Sequence, residues 1–170
     1  MSWVAILMGS QSDWPVVQAC TQVLDELGVT FEVKVTSAHR TPEETKRFVT
    51  DADERGAGVF VCAAGMAAHL AGAVAAATLK PVVGIPIDAG SLQGIDALLA
   101  TVQMPGGIPV ACMAIGKAGA KNAGYFSAQI LSLSNAQLMA TLTREREANK
   151  QKVAQQNLNV QADLKSNPSS

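Results

Sequence analysis

The sequence predicts a three-layer α/β fold, with helices on both faces of one parallel sheet of five strands. Apolar runs of four to six residues alternate along the chain with longer segments in which apolar residues recur at helical spacing. This alternation is typical of right-handed strand–helix–strand units, which place parallel strands side by side. The 170 residues, of which 48% are hydrophobic, suffice for one domain with a sizeable core.

The first half of the chain contains three predicted strands and two predicted helices, in the order 4–8, 14–27, 31–35, 42–55 and 59–62. The first strand is a continuous apolar run, which is typical of burial on both sheet faces. Its helix begins after the N-cap candidates Ser12 and Asp13 and ends at Gly28. The second strand alternates apolar with polar residues, which indicates a half-exposed edge strand. The next helix begins at TPEE, residues 41–44, which reads as a capping box with proline at the first helical position.

The second half contains two further predicted strands, at 82–85 and 110–115. An alanine-rich helix that ends near Leu79 precedes the first of them, and a short helix at 92–102 separates the two. Helical sequence then extends over about residues 117–164, with a break near 132–135. We therefore expect an α/β domain at 1–134, a C-terminal helical extension at 135–165 and a disordered tail at 166–170.

The order of the five strands is expected to be 2-1-3-4-5, as in flavodoxin-like folds, a variant of the Rossmann-like doubly wound sheet. That order places the alternating second strand at one edge and the fifth strand at the other. The fifth strand, 110–115, is apolar throughout although an edge strand usually carries polar residues. We expect another copy of the chain to cover it, and therefore an oligomer.

Composition excludes several classes of protein. A net charge of −1 with 16% charged residues provides no general attraction to nucleic acid or to an anionic membrane surface. The uncharged stretch 56–79 is long enough to cross a bilayer, but its valine run followed by glycine and alanine predicts a strand, a turn and a helix. No secretory signal is visible, and three widely separated cysteines are expected to be small buried residues. The chain is expected to be cytoplasmic.

Ligands of such sheets bind at the carboxyl ends of the strands, beside the point where strand order reverses. This rule selects three loops, at 9–13, 37–40 and 64–70, and both histidines of the chain lie in them. The first loop brings the hydroxyls of Ser10 and Ser12 to a helix N-terminus, which favours an anion. Asp13 would repel a phosphate and is better suited to a ribose diol. All three residues could instead only cap the helix.

The other two loops supply the candidate reactive groups. The guanidinium group of Arg40 can form bidentate hydrogen bonds to the oxygens of a phosphate, although Arg40 could be an ordinary surface charge. Histidine as a residue type changes its charge near neutral pH, so His39 is the natural proton carrier, although it could only satisfy backbone carbonyls. His69 lies among glycine and alanine, where a lone histidine is more often structural. No dinucleotide fingerprint, phosphate-binding P-loop, zinc cluster or serine-hydrolase elbow is present in the sequence.

Four motifs in order resemble the PurE family of purine biosynthesis. They are MGSQSD at 8–13, SAHRTP at 37–42, AAHL at 67–70, and the segment from QMP at 103–105 to GKAG at 116–119. The similarity extends over about residues 3–135, and the remainder matches only as a helical tail. Two residues of the third loop, Met66 and Ala71, replace the glycine and proline of the usual GGAAHLPG pattern. Gly106 stands where some relatives have arginine.

This resemblance implies a cofactor-free and metal-free mutase that moves a carboxylate from the exocyclic nitrogen of an aminoimidazole ribonucleotide to ring carbon C4. By the same resemblance, His39 would be the general acid and base, and the first and second loops would bind the nucleotide. The implied binding residues are Ser10, Ser12, Asp13, Ser37 and Arg40 for phosphate and ribose, and Gly65, Ala68, His69 and Leu70 for the base and CO2.

The resemblance also implies a homo-octamer in which the C-terminal extension packs on neighbouring subunits, and a functional link to an ATP-dependent carboxylase. Two other functions remain open. One is an aminoimidazole ribonucleotide carboxylase that uses CO2 directly, although in that class lysine tends to follow the histidine and AAHL is missing. The other is a flavodoxin-like nucleotide-binding module without catalysis, which 4% aromatic residues disfavour because flavin rings usually stack on aromatic side chains.

Overall fold

Parallel strands and flanking helices alternate through residues 2–166, the part of the chain that the computed structural model describes. The strands are β1 Trp3–Met8, β2 Phe31–Val35, β3 Ala57–Gly65, β4 Val82–Ile87 and β5 Ala111–Cys112. The helices are α1 Trp14–Glu26, α2 Pro42–Glu54, α3 Leu70–Ala75, α4 Ile95–Val102, α5 Gly116–Ser132 and α6 Ala136–Ser166. All strand pairs are parallel and follow the order β2-β1-β3-β4-β5, which confirms the predicted topology.

Alternate residues of the central strands fill two cores, one on each face of the sheet. On β1, Val4 and Ile6 face the core under α1 and α5, whereas Ala5 and Leu7 face the core under α2 and α3. All four are fully buried. Side chains that alternate between two covered faces explain why β1 is apolar without interruption.

The cysteines are all free thiols, as the sequence predicted. Cys20 and Cys62 are buried in the two cores, and Cys112 is half-buried on β5. Burial raises the pKa of the Cys20 thiol to about 12 and also raises the pKa of Cys62 and Cys112. Thiols held in the neutral form in this way are packing residues rather than nucleophiles.

Three elements are shorter than the sequence indicates by more than one residue. Helix α4 begins at Ile95 rather than at Leu92. Helix α3 ends at Ala75 rather than near Leu79, because Thr78 donates a hydrogen bond to the Asp53 carboxylate at 2.7 Å and draws the chain into a turn. Strand β5 contains only Ala111 and Cys112 instead of the six predicted residues, and these two pair with β4. The chain then turns into α5 through Gly116, which has a φ of 74°.

The predicted capping box at the start of α2 is wrong. The Thr41 side chain makes no cap hydrogen bond to its helix. It accepts a hydrogen bond from the Ser37 N–H at 3.0 Å and lies 3.2 Å from the Ser37 carbonyl, to which it donates. Pro42 does occupy the first helical position, as predicted. A capping box is present instead at the short 3-10 turn Gln11–Asp13, formed by Ser10 and Asp13.

The C-terminal part of the chain is two helices with the expected break between them. Asn135 accepts a hydrogen bond from the Leu138 N–H at 3.1 Å at the start of α6, and Leu138 is the buried anchor of that helix. The prediction of a disordered tail from 166 is wrong for Ser166, which ends α6, and residues 167–170 lie outside the described residues. Across residues 2–166, each helix is too short or too polar to traverse a bilayer. The predicted boundary between an α/β domain at 1–134 and a C-terminal extension at 135–165 stays a prediction.

Candidate active site

A cleft of about 530 Å³ lies at the carboxyl ends of the strands, where the order of the sheet reverses. The three loops selected from the sequence line it, together with Ala89 from the loop that follows β4. Its lining residues are Gly9, Ser10, Ser12, Asp13, Ser37, Ala38, His39, Arg40, Ala64, Gly65, Met66, Ala67, His69, Leu70 and Ala89. Of the residues proposed from the sequence, only Ala68 is not among them.

The first loop is folded by hydrogen bonds among its own polar side chains. The Ser10 hydroxyl accepts from the Ser12 N–H at 3.3 Å and from the Ser12 hydroxyl at 2.9 Å. The Asp13 carboxylate accepts from the Ser10 N–H at 3.0 Å. Because Ser10 is an acceptor in both contacts, its own hydroxyl proton can be donated to a ligand in the cleft.

Asp13 lies beneath this loop and is only 6% exposed. Desolvation raises the pKa of its carboxyl, while hydrogen bonds from the Ser10 N–H and the Ser12 hydroxyl act in the opposite direction. Both carboxylate oxygens help to hold the loop, because Oδ2 accepts from the Ser10 N–H and Oδ1 accepts from the Ser12 hydroxyl at 3.4 Å. Asp13 therefore has a structural role beside the ribose contact expected of it.

The second loop is fixed at its base by threonine hydroxyls. Thr36 lies 2.8 Å from Thr45 and 3.2 Å from Thr41, which ties the end of β2 to the first turn of α2. The Ser37 hydroxyl accepts from the Arg40 N–H at 3.1 Å. These contacts hold the backbone of residues 37–40 in a tight turn while His39 and Arg40 remain exposed.

His39 and Arg40 are consecutive residues, but their side chains contact two different loops of the cleft. Arg40 donates from Nη2 to the Gly9 carbonyl at 3.4 Å and so lies beside the serines of the first loop. His39 Nε2 lies 2.8 Å from His69 Nδ1 in the third loop, with the two rings nearly perpendicular. The cleft therefore has a cationic, hydroxyl-rich side and an imidazole side, joined by two consecutive residues.

The two histidines are hydrogen-bonded to each other, a contact that the sequence did not predict. If both rings are neutral, the hydrogen bond requires that one of the two nitrogens carries a proton and the other accepts it. A ring held in this way has a fixed orientation and a fixed tautomer. The structure places the His69 ring in the lining of the cleft, and a role of His69 in ligand binding stays a prediction.

The third loop approaches its neighbours closely because its residues are small. A Cβ on Gly65 would lie 3.0 Å from the Ala89 Cβ and 3.4 Å from the Ile87 Cβ. Ala68 is buried beneath the loop at 2% exposure and does not reach the cleft surface, and Leu70 is equally buried. Of the predicted residues of this loop, His69 is exposed and Gly65 is half-buried.

Ala89 lies outside the three loops selected from the sequence, and Met66 lies in the third of them but was not predicted as a binding residue. Ala89 could have been found, because the strand-end rule applies to the loop after β4 as well. Met66 carries no polar group that marks a ligand contact. Within residues 2–166, including the cleft, there is no group of three or more His, Cys, Asp and Glu side chains that could hold a metal ion.

Comparison with known proteins shows the family to which the chain belongs. A family model described as AIR carboxylase matches residues 3–152. The N5-carboxyaminoimidazole ribonucleotide mutase of Bacillus subtilis is 51% identical over 150 residues, covering 88% of this chain and 93% of the relative. The protein of the same name from Escherichia coli is 48% identical over 145 residues, covering 85% and 86%.

Solved structures show the same fold. The crystal structure of Treponema denticola PurE superimposes with a TM-score of 0.84 at 25% identity, covering 94% of this chain and 98% of that one. The family match spans every strand of the sheet and all three loops of the cleft. The chain is therefore a member of the AIR carboxylase family.

Proposed function

We propose that this protein is an N5-carboxyaminoimidazole ribonucleotide mutase of purine biosynthesis. The observation that carries the proposal is the His39–His69 pair beside Arg40 in one cleft. Such a site offers a proton carrier next to a binding group for a phosphate. Support comes also from relatives near 50% identity, which share the name of this mutase.

The proposed reaction is a decarboxylation followed by a carboxylation at another atom. Protonated His39 donates its proton to the exocyclic nitrogen as the nitrogen–carbon bond breaks, and the bonding pair stays on nitrogen. CO2 and an aminoimidazole ribonucleotide are then held together in the cleft. Ring carbon C4 attacks CO2, a new carbon–carbon bond forms, and His39 removes the C4 proton. His39 donates one proton and recovers one proton in each turnover, so the reaction needs no co-reactant.

His69 supports this cycle through its contact with His39. An imidazole that accepts and donates protons in one turnover benefits from a partner that keeps the ring oriented in both protonation states. If His39 exchanges its proton with the substrate through Nδ1, its Nε2–H can donate to His69 Nδ1 both when the His39 ring is protonated and when it is neutral. Arg40 and the Ser10 and Ser37 hydroxyls bind the 5′-phosphate, which positions the heterocycle near the imidazoles.

The direct test is whether the purified protein converts the N-carboxylated ribonucleotide into the C4-carboxylated product without ATP and with metals chelated. We expect conversion under these conditions. The competing function, an aminoimidazole ribonucleotide carboxylase, is suggested by the description of the family model. If the protein forms product from aminoimidazole ribonucleotide and CO2 but leaves the N-carboxylated substrate to decay at its spontaneous rate, the mutase proposal is wrong.

Replacing Arg40 by alanine is expected to raise KM by roughly 10- to 100-fold, the range for loss of a charge-assisted hydrogen bond. The value of kcat should change much less, because His39 and His69 are untouched. Lys46→Ala is the matched control, since it removes one exposed positive charge from α2, outside the cleft. Steady-state kinetics measure both variants, and an unchanged KM for Arg40→Ala would remove this residue from the phosphate site.

We also infer that the protein is an oligomer, with the family's octamer as the expected state. Leu92, Ile95, Leu99 and Val102 form an apolar stripe on and before α4, and each is about half exposed. Beside it, β5 contains two residues and ends the sheet. An apolar stripe next to an open sheet edge is typical of a surface covered by another subunit.

Light scattering tests this inference, with an expected mass near eight times that of the 17.6 kDa chain. Leu99→Glu should lower that mass by placing a charge in the contact. A wild-type protein that scatters as a single chain would contradict the inference. Packing of α6 on neighbours and a link to an ATP-dependent carboxylase stay predictions from the family resemblance, and a cytoplasmic location stays a prediction from the composition.

A further inference from the structure

Met66 is the large apolar side chain that the cleft leaves exposed. It is 57% exposed, whereas Leu70, the other large apolar residue on the cleft wall, is buried. Its backbone has a φ of 52°, and within residues 2–166 only Gln93 shares a positive φ among residues other than glycine. An unbranched side chain held in this unfavourable backbone conformation at the mouth of a cleft has no role in the core.

The Met66 side chain spans the gap between the loops that follow β3 and β4. A Cβ on Gly90 would lie 3.2 Å from Met66 Cγ and 3.4 Å from its sulfur. The thioether therefore lies against the bare backbone of Gly90, where any side chain would press on it. Gly90 itself has a φ of 72°, which favours glycine and keeps this surface free of side chains.

The backbone of Met66 is rigidly connected to His69. The Met66 carbonyl accepts from the Ala68 N–H at 2.8 Å, and the Ala67 carbonyl accepts from the His69 N–H at 2.9 Å. These two successive tight turns fix the position of the Met66 backbone relative to the pair of imidazole rings. Three rotatable bonds leave the side chain itself free to change direction.

We propose that Met66 is a positioning residue that covers the imidazole side of the cleft and retains the CO2 released during turnover. When nucleotide binds, the thioether leaves Gly90 and packs over the heterocycle, because it gains apolar contact that the empty cleft does not offer. The cover slows the exit of a small neutral molecule and the entry of water. This inference rests on the proposed mutase reaction.

Isotope exchange measures this retention. The C4-carboxylated ribonucleotide is incubated with enzyme, labelled bicarbonate and carbonic anhydrase, and label entering the nucleotide reports CO2 that has left the cleft. In Met66→Ala, which keeps the backbone strain but removes the cover, the ratio of exchange to interconversion should rise on the order of tenfold, equivalent to about 1.4 kcal/mol. Met66→Gly removes the cover and also relieves the strain, so it should show the same rise in a protein at least as stable as wild type.

Met66→Leu is the matched control, because it retains an unbranched Cβ and most of the apolar volume, and we expect the wild-type ratio. Equal ratios in wild type, alanine and glycine variants would overturn the inference, as would a raised ratio in the leucine variant. Variants that lose interconversion with no exchange would also overturn it, because Met66 would then act on binding or chemistry. Failure of the wild type to interconvert the two ribonucleotides would instead refute the mutase function.

Discussion

We expect His39→Asn to lower kcat by about 100- to 10,000-fold while KM changes little. Asparagine matches part of the imidazole in shape and hydrogen bonding but cannot carry a proton at neutral pH. Both proton transfers of the proposed reaction depend on that proton. Binding depends mainly on Arg40 and the serines of the first loop, which the substitution leaves in place. Steady-state kinetics and calorimetric titration with product separate the two effects.

His69→Asn provides the comparison for this variant. It removes the other imidazole of the pair but leaves His39 in place, so the loss of kcat should be smaller. Because both histidines are exposed, neither change should affect the free energy of unfolding. If His39→Asn retains most of its activity, or if the His69 variant is the more damaged of the two, the assignment of His39 as the proton carrier is wrong.

The topology of the sheet was predictable because the pattern of apolar residues in a strand indicates whether one or both of its faces are buried. An uninterrupted apolar run at 4–8 and an alternating run at 31–35 distinguish a central strand from an edge strand, and this distinction fixes β1 and β2 in the order found. The length of β5 was not predictable in this way. Its pairing with β4 ends at Cys112, although apolar residues continue as far as Ile115, just before Gly116 begins α5.

Contacts with residues outside the local sequence pattern account for two other differences. Helix α3 ends where Thr78 binds Asp53, 25 residues earlier in the chain. The Thr41 hydroxyl does not cap α2 because it is hydrogen-bonded to the backbone of Ser37, from whose N–H it accepts and to whose carbonyl it donates. In each case the local pattern permits two structures, and a partner outside the pattern decides between them.

The location of the site followed from one geometric rule, since strand ends of a parallel sheet meet at one edge. That rule brought Ser10, His39 and His69 together without any knowledge of side-chain directions. It could not show that His39 contacts His69 whereas Arg40 contacts Gly9, because this depends on how a four-residue turn is wound. Apolar residues such as Met66 were missed for a different reason, since they carry no chemical signal in the sequence.

The connection from β5 to α5 depends on the absence of side chains. Gly116 begins α5 with a φ of 74°, and a Cβ there would lie 3.4 Å from an Asp88 carboxylate oxygen. One turn later, Gly119 is buried against the backbone that leads into the helix. A Cβ on Gly119 would lie 1.6 Å from the Ala114 carbonyl oxygen. Backbone atoms cannot rotate away as a side chain can, so this contact tolerates only glycine.

We therefore expect Gly119→Ala to lower the free energy of unfolding by at least about 3 kcal/mol, a large part of the total for a domain of this size. Either α5 must move away from the sheet or its first turn must unwind, and both expose the core that it shares with α1. Gly106→Ala is the matched control, because a Cβ there meets no atom within 4 Å, and its effect should stay within about 0.5 kcal/mol. Urea unfolding of both variants, followed by circular dichroism, gives the comparison. Equal stability of the two would mean that α5 does not approach Ala114 as closely as the structure has it.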